Sequence, residues 1–236
     1  MGSVLLRLSG VEECMVIKRV NRFVAEVEVR GGEYSAYVCN TGRLSEYLRR
    51  GRRGFCLWNS RGLKTRLRLF AVEDLGLGAL IDTQLQMKCF EEALARKLLP
   101  WLRGYKVVRR NPRLGDSRLD YLLEHGGRLF FVEVKSAVLR GDHEYAMYPD
   151  CPSLRGRRHV KELIRLVREG GAGLIVFLAC LPHVRGFKPN ERADPVIARL
   201  LRRAAKEGVL VRALSLHYRP PNSSIYLEDP DLEVML

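Results

Sequence analysis

Apolar and polar residues alternate between residues 22 and 38, with the period expected of a strand that has one buried face. The pair Gly31-Gly32 interrupts this pattern and indicates a turn, so the segment is predicted to form a β-hairpin. Two further short β segments are predicted at residues 54–58 and 64–72, with glycine-rich turns between them. Short strands at this spacing are typical of a small closed barrel such as an OB-fold.

After Asp82 the pattern changes to the spacing of an amphipathic helix, predicted over residues 83–99 and ended by Pro100. The elements predicted after it are strands at 105–109, 118–124 and 128–138, a helix at 157–168, a strand at 173–179, a helix at 195–207 and a strand at 209–216. This order is typical of an α/β domain with a mixed sheet. The tail after Pro220 is predicted to be irregular.

The change of pattern near residues 76–82 predicts two domains. We expect an all-β, OB-like barrel that binds nucleic acid over residues 1–78, and an α/β domain with a mixed sheet over residues 79–236. A chain of 236 residues is long enough to bury both cores.

Charge narrows the expected partners. The chain carries 41 Lys and Arg against 27 Asp and Glu, a net charge of +14 at pH 7, and such a field attracts polyanions. Cations are dense in the first third of the chain: Arg43, Arg49, Arg50, Arg52, Arg53, Arg61, Lys64, Arg66 and Arg68. Nucleic acid is therefore the expected partner.

The apolar segments argue against a membrane partner. The longest one, residues 171–181, has about half the length that a membrane-spanning helix needs. The N-terminus also lacks the charged-then-apolar order of a secretion signal, so we expect a cytoplasmic protein. The six cysteines are too far apart in sequence for a zinc ribbon or finger.

The candidate chemistry lies on two predicted strands joined by the short turn His125-Gly126-Gly127. Side chains alternate along a strand, so Glu133 and Lys135 share one face. Antiparallel pairing through the turn brings Asp120 to them within one residue of register. Charged side chains in a run as apolar as residues 129–134 are costly unless they are paired or bind a metal.

Two interpretations of Asp120, Glu133 and Lys135 remain open. They could form a buried ion-pair network, or the two carboxylates could bind a hard divalent cation, Mg²⁺ or Mn²⁺, that also contacts substrate phosphates. In the second interpretation all three residues are catalytic, and Lys135 orients the nucleophile or stabilises charge on the phosphate.

An Asp followed, after a short hairpin, by Glu-x-Lys resembles the PD-(D/E)xK core of restriction-endonuclease-like nucleases. That core usually takes a further glutamate from the preceding helix. Glu91 and Glu92 are the candidates, and helical geometry alone does not choose between them.

Several separate blocks of the chain match, in order, the motifs of one protein family. They are residues 38–44 with Cys39 in place of a proline, 82–94, 117–123, 132–136, 148–153 with Tyr148 substituted, and 155–159 with Arg158 substituted. On these blocks the chain resembles the sugar fermentation stimulation protein (SfsA) family. The resemblance implies an OB-like domain, a restriction-endonuclease-like mixed-sheet domain, and a DNA-binding protein proposed to regulate genes of sugar metabolism. It also aligns Glu92 with the glutamate that recurs in the family.

The candidate nucleic-acid-binding residues lie in two segments: Asn40, Thr41 and Arg43 in the first, and Arg155, Arg158 and His159 in the second. The second segment is near a predicted helix start, where cations and backbone amides could grip phosphates. Its alternative is a capped surface helix with solvated arginines. The first segment could be a loop that contacts the nucleic-acid backbone, or simply a turn.

Two function hypotheses follow. In the first, the protein is a nuclease that depends on Mg²⁺ or Mn²⁺, and the barrel holds the strand. In the second, it is a DNA-binding regulator without catalysis, which retains a vestigial nuclease fold. RNA binding by the barrel is a third interpretation.

Overall fold

The structure is a computed structural model that describes residues 2–59, 64–142 and 144–236. The strands of its N-terminal part are β1 (Ser3–Arg7), β2 (Val11–Asn21), β3 (Val24–Val29), β4 (Gly32–Tyr37), β5 (Arg53–Trp58), β6 (Leu67–Asp74) and β7 (Leu77–Leu80). Strands β1, β2 and β7 had not been predicted. Arg61, one of the cations noted above, lies outside the described residues.

Strands β2 to β6 close into a barrel. β2 pairs antiparallel with β3 and β5, β3 pairs with β4, β5 pairs with β6, and a short parallel pairing of β4 with β6 completes the ring. The alternating residues Ala25, Val27 and Val29 are buried inside it. Phe23 precedes β3 and is exposed instead. The predicted OB-like barrel is confirmed.

The C-terminal part contains helices and strands in alternation. The helices are α1 (Thr83–Ala95), α2 (Leu154–Arg168) and α3 (Pro195–Lys206), with short 3₁₀ helices at Pro100–Leu102 and Pro220–Asn222. The strands are β8 (Lys106–Arg110), β9 (Arg113–Leu114), β10 (Ser117–Arg118), β11 (Tyr121–His125), β12 (Arg128–Ala137), β13 (Leu139–Gly141), β14 (Tyr145–Tyr148), β15 (Ala172–Ala179), β16 (Gly186–Pro189), β17 (Leu210–Arg219) and β18 (Ser224–Val234).

The central sheet of this part is mixed, as predicted. Its strand order is β8-β11-β12-β15-β17-β18, in which β12, β15 and β17 run parallel and the outer pairs are antiparallel. β15 is buried along its whole length, because the sheet continues on both of its edges and both faces are covered. Among the described helices, none is long and apolar enough to cross a membrane.

Several element predictions need correction. α1 ends at Ala95 and not at residue 99, because Arg96 caps it and Lys97 takes a left-handed φ of 57°. α2 begins at Leu154 and not at residue 157, because the Ser153 side chain accepts from the Gly156 amide and caps the helix. The tail is not irregular, because β18 pairs antiparallel with β17. Register shifts in this pairing break the alternation that would have revealed the strand.

The barrel and the mixed sheet share backbone pairing. Gly78 of β7 pairs with Tyr218 of β17, and β1 pairs antiparallel with β18. A Cβ atom at Gly78 would lie 2.9 Å from the Tyr218 ring, so glycine permits this close approach. The two parts of the chain are therefore joined along their strands as well as by the linker at residues 81–82.

Candidate active site between the barrel and the mixed sheet

Asp120 directly precedes β11 and lies beside β12. Its amide donates to the Val132 carbonyl at 3.1 Å, and the Val134 amide donates to Asp120 Oδ2 at 2.7 Å. Tyr121 pairs with Val132, so the next place in the register sets Asp120 against Glu133. The short turn after β11 thus brings the two carboxylates together across neighbouring strands.

Glu133 and Lys135 lie on the same face of β12 and are nearly buried, with 4% and 9% of their surface exposed. Lys135 Nζ donates to Glu133 Oε1 at 2.5 Å. The same oxygen lies 2.6 Å from Nδ1 of His159, a residue of α2 that is 1% exposed. One oxygen of Glu133 therefore receives two partners.

The hydrogen bonds of His159 assign its tautomer. Arg155 Nε donates to His159 Nε2 at 3.3 Å, so this nitrogen acts as the acceptor. In the neutral ring the proton is then on Nδ1, which donates to Glu133 Oε1. His159 fixes the orientation of the Glu133 carboxylate from behind, and it is too deeply buried to contact a phosphate.

The two carboxylates have opposite pKa shifts. Burial, reinforced by the neighbouring charge of Glu133, raises the pKa of Asp120 to about 6. Burial by itself would also raise the pKa of Glu133. Lys135 and His159 outweigh burial there, so the pKa of Glu133 is lowered. At neutral pH both groups are anionic, and Asp120 is the one that protonates first as the pH falls.

Lys135 remains a cation in this site. Burial alone would lower its pKa, but the Glu133 carboxylate outweighs burial and the pKa is raised. A lysine in this state cannot take a proton from water near neutral pH. It can donate hydrogen bonds and supply positive charge beside the carboxylates.

A divalent cation fits the oxygens that are left over. Glu133 Oε2 is buried and has no hydrogen-bond partner among the described residues, which is costly for a carboxylate oxygen. Asp120 accepts from the Val134 amide through Oδ2, which leaves Oδ1 for a cation. Within residues 2–59, 64–142 and 144–236, no group of three His, Cys, Asp or Glu side chains is arranged to hold a metal. The protein thus offers two carboxylates, the small number of ligands that Mg²⁺ takes when waters and phosphates complete its shell.

These groups form the floor of a cleft of about 550 Å³ whose walls come from both parts of the chain. The mixed-sheet part contributes Asp120, residues 133–136 and residues 147–156, including the first turn of α2. The barrel part contributes Arg22, Asn40, Thr41, Gly42 and Leu44. The candidate site is therefore completed by the barrel.

Polar contacts hold the two walls together. The Leu44 amide donates to Asp150 Oδ2 at 3.0 Å. Farther from the cleft, Arg140 donates to Asp74 Oδ2 at 2.7 Å, and the Tyr47 hydroxyl donates to the same oxygen at 3.1 Å. Asp74 and Tyr47 are buried, so the contact between the barrel and the mixed sheet includes a desolvated ion pair.

Asn40 shapes the barrel wall. Its Nδ2 donates to the Ile81 carbonyl at 2.9 Å, and its Oδ1 accepts from the Gly42 amide at 2.8 Å. Both ends of this buried side chain are thus occupied within the protein. Thr41 and Arg43, on either side of Gly42, are exposed and remain accessible to a ligand.

The predicted glutamate of α1 does not reach the site. Glu92 is half-exposed, lies 3.9 Å from Arg96, and lines a separate cavity with Lys88 and Arg110. Glu91 accepts two hydrogen bonds from Arg110 and one from Tyr121, at 2.8–2.9 Å. The residue of α1 that lines the cleft is Thr83. The placement of Glu92 as a catalytic residue therefore needs correction, because its side chain lines this separate cavity and not the cleft that holds Asp120.

The three residues of the second predicted nucleic-acid-binding segment lie in different environments. Arg155 is exposed and lines the cleft. Arg158 is exposed but lies outside the cleft lining. His159 is buried behind Glu133, which corrects its predicted role as a direct phosphate contact. The spacing of the buried residues of α2, Gly156, His159, Val160, Leu163 and Ile164, is a signal that could have placed His159 on the inner face.

Two further residues of the site were not singled out from the sequence. Arg22 directly follows β2, at the start of the turn to β3, and no local pattern distinguishes it from the other arginines. Asp150 contacts Leu44, which is 106 positions away in the chain. Only the tertiary structure brings these residues to the cleft.

Comparisons with known proteins agree with the fold. Residues 17–81 match the model of the SfsA N-terminal OB domain, and residues 84–222 match that of the sugar fermentation stimulation protein RE domain. The chain is 48% identical to the sugar fermentation stimulation protein homolog of Pyrococcus furiosus over 98% of its length and 99% of that protein. It is 43% identical to the homolog of Archaeoglobus fulgidus over 98% and 99%.

A solved structure also matches. The crystal structure of Pyrococcus furiosus SfsA in complex with Ca²⁺ is 47% identical and superposes with a TM-score of 0.94, covering 99% of this chain and 100% of that one. With an N-terminal OB domain and a restriction-endonuclease-like C-terminal domain, the chain belongs to the sugar fermentation stimulation protein (SfsA) family.

Proposed function

We propose that the protein binds DNA and hydrolyses its phosphodiester bonds at the cleft, using a divalent cation held by Asp120 and Glu133. Mg²⁺ and Mn²⁺ are the cations we expect, because both prefer oxygen ligands and accept substrate phosphates in their coordination shell. Lys135 is the third member of the site. The net charge of +14 provides the attraction for the polyanion.

The observation that carries this proposal is the buried oxygen Oε2 of Glu133, which has no hydrogen-bond partner in the part of the chain that the structure describes. The other carboxylate oxygen, Oε1, accepts hydrogen bonds from Lys135 and His159. These bonds fix the orientation of the carboxylate and leave Oε2 free to bind a cation. Burial, reinforced by the charge of Glu133, raises the pKa of the neighbouring carboxylate, Asp120. A cation between them would remove both penalties.

Each residue of the site has a separate task in this proposal. When bound, the divalent cation would supply Lewis acidity toward the phosphodiester and toward the attacking water. Asp120 and Glu133 hold it, and His159 keeps Glu133 in one orientation. Lys135, a cation near neutral pH, donates hydrogen bonds to the attacking water or to the phosphate oxygens and stabilises the charge that develops there.

The relative from Pyrococcus furiosus supports the cation. It was crystallised in complex with Ca²⁺ and shares 47% of its residues with this chain. Ca²⁺, like Mg²⁺ and Mn²⁺, is a hard cation that binds carboxylate oxygens.

A second candidate function is DNA binding without catalysis, in a regulator that retains the nuclease fold. One observation favours it: Lys135 and Glu133 already neutralise each other at 2.5 Å. A site of this kind can persist as a structural ion pair after catalysis is lost.

The deciding experiment incubates the pure protein with end-labelled single-stranded and double-stranded DNA and RNA, with Mn²⁺ or with a chelator. We expect strand cleavage that requires Mn²⁺ and is lost in Asp120→Asn, Glu133→Gln and Lys135→Ala. Lys161→Ala, an exposed lysine of α2, is the matched control and should cleave like the wild type. A Mn²⁺-dependent rise in melting temperature without cleavage of any substrate would instead favour the regulator.

A further inference from the structure

We infer that the cleft accepts a single strand of DNA and not a duplex, and that Arg22 and Arg43 of the barrel hold its backbone beside the carboxylates. This inference rests on the proposed function and names the substrate class for the same site. Arg22 was not among the residues that the sequence predicted.

The reactive groups lie at the bottom of the cleft. Glu133 and Lys135 are 4% and 9% exposed, while the cleft above them measures about 550 Å³. This size is within the roughly 300–1,000 Å³ of pockets that enclose small molecules. A phosphodiester must reach the floor to meet both carboxylates. One strand can bend to do so, whereas a strand within a duplex is held away by its partner strand.

The walls are not free to spread apart. On the cleft side, Asp150 of the mixed-sheet part accepts from the Leu44 amide of the barrel at 3.0 Å. Behind it, the ion pair of Arg140 with Asp74 has both side chains about 11% exposed. Breaking a buried pair of this kind leaves an uncompensated charge. Opening the cleft wide enough for a duplex would break these contacts, so the substrate has to fit the gap as it stands.

A second cavity, of about 500 Å³, continues the cleft across the barrel surface. It shares Arg22, Thr41 and Gly42 with the cleft, so the two cavities form one path. Arg19 and Arg43 also line it. This path gives a strand that crosses the carboxylates a place to continue.

The arginines of this path differ in their availability. Arg19 is committed to the protein, because its guanidinium donates to the Gly42 carbonyl at 2.7 Å and to the Asn21 carbonyl at 3.0 Å. Arg22 and Arg43 are exposed, and neither forms an ion pair with a carboxylate in the described part of the chain. Their charges are therefore available to phosphates.

The charges of the path match a polynucleotide backbone. Asp120 and Glu133 repel an approaching phosphate until a cation is bound, and the two arginines lie to one side of them. A basic groove that follows one backbone is the usual device of proteins that bind single strands. We therefore expect the strand to be held mainly by its phosphates, with weak sequence preference.

The test measures binding by fluorescence anisotropy with the full chain, in Ca²⁺ and in chelator. The probes are a labelled 12-nucleotide DNA strand and a hairpin in which the same sequence is paired with its complement through a loop. Wild type is compared with R22A/R43A and with the control R49A/R50A, which removes two exposed barrel arginines outside both cavities. Cleavage of the same two probes is followed in parallel with Mn²⁺.

We expect the single strand to bind about tenfold or more tightly than the duplex, and R22A/R43A to lose about tenfold in affinity for it. The slope of log affinity against log salt should fall by about 1.4, since each phosphate contact to a single strand contributes about 0.7. R49A/R50A should change neither quantity by as much. Equal binding of the duplex, or equal losses in the two double variants, would overturn the inference.

The parallel cleavage assay separates the two proposals. Strand preference that depends on Arg22 and Arg43, without cleavage of either probe, would reject the proposed hydrolysis and leave the inference standing. Cleavage of the duplex as fast as the single strand would support hydrolysis and reject the inference.

Discussion

His159 and Glu133 are joined by a hydrogen bond of 2.6 Å between Nδ1 and Oε1, and both side chains are buried. The bond links α2 to the strand that carries the candidate catalytic residues. It makes His159 a positioning residue, which acts on the cation through Glu133 and does not itself touch the substrate.

Replacement of His159 by Ala tests this role. We expect the affinity for Mn²⁺ to fall by about 10–100-fold, because groups that orient a metal ligand have effects of this size. Affinity for DNA in chelator should stay within about threefold of wild type, because a buried side chain makes no phosphate contact. Calorimetric titration with Mn²⁺ and anisotropy in chelator give the two numbers. If the variant folds but loses much of its affinity for DNA without metal, His159 contacts phosphate directly, as the sequence had predicted.

Replacement of Asp120 by Asn should stabilise the metal-free protein. Burial and the charge of Glu133 raise the pKa of Asp120 from its ordinary 3.8 to about 6, so the folded state binds this proton more tightly than the unfolded state does. Stability of the wild type is therefore lost as pH rises from about 4 to about 6. The Asn variant avoids this loss, with a gain on the order of 3 kcal/mol at pH 7 that vanishes near pH 4.

Urea unfolding of wild type and Asp120→Asn at pH 4, 5, 6 and 7 measures this gain. Added Mn²⁺ should stabilise the wild type and leave the variant unchanged, because the variant lacks one of the two ligands. If Asp120→Asn is instead destabilised by about 3–5 kcal/mol at pH 7, and Mn²⁺ has no effect on the wild type, the three residues form a structural ion-pair network.

The glutamates of α1 lie outside the cleft, so their replacement should affect stability and not metal binding. Hydrogen bonds from Arg110 lower the pKa of Glu91. Burial opposes this effect, and a hydrogen bond from Tyr121 adds to it. Its stabilising contribution is present above the unfolded pKa of about 4.3 and is lost as pH falls through the lower, folded value. Glu91→Gln should thus cost about 1 kcal/mol at pH 7 and nothing in strong acid.

Glu92→Gln is the companion variant, and it should change stability by less than about 0.5 kcal/mol. Neither variant should alter Mn²⁺ affinity by more than about twofold, because neither carboxylate lines the cleft. A metal affinity that collapses in Glu92→Gln alone would place this residue back in the site.

Gly42 is required for the contact between the two walls. A Cβ atom there would lie 2.5 Å from Asp150 Oδ2, the oxygen that accepts from the Leu44 amide. We expect Gly42→Ala to cost about 1–3 kcal/mol, because the carboxylate cannot move aside without losing its hydrogen bond.

A double-mutant cycle with Asp150→Ala isolates the clash. Once the carboxylate is absent, Gly42→Ala should cost much less, so the coupling energy should be at least about 1 kcal/mol. Additive losses in the thermal unfolding of the four proteins would show that Gly42 and Asp150 act independently.

The parts of the site that the sequence predicted are the local ones. Asp120, Glu133 and Lys135 are joined by a turn of a few residues, so strand alternation and antiparallel pairing suffice to bring them together. Most of the barrel was predictable for the same reason, since β3 with β4 and β5 with β6 pair neighbours in sequence.

The rest depended on packing between distant segments. Glu92 was aligned by resemblance, but the direction in which α1 presents its residues is set by its packing, and it turns Thr83 toward the cleft. The predicted start of α2 was three residues too late, which placed His159 in the first helical turn and not in the buried stripe. β18 was not predicted, because register shifts in its pairing with β17 interrupt the alternation of buried and exposed residues.

Pairing of β1 with β18 has a consequence for the order in which this molecule is made. Ser3 pairs with Leu227 and Arg7 with Ser224, so β1 leaves the ribosome long before its partner is synthesised. At about 5–20 residues per second this delay is roughly 10–45 s. Strands β2 to β6 can close their ring during that time, whereas the apolar segment 3–6 waits with its backbone groups unpaired. The nascent chain is therefore most exposed to mispairing at its first strand, and chaperone contact is most useful there.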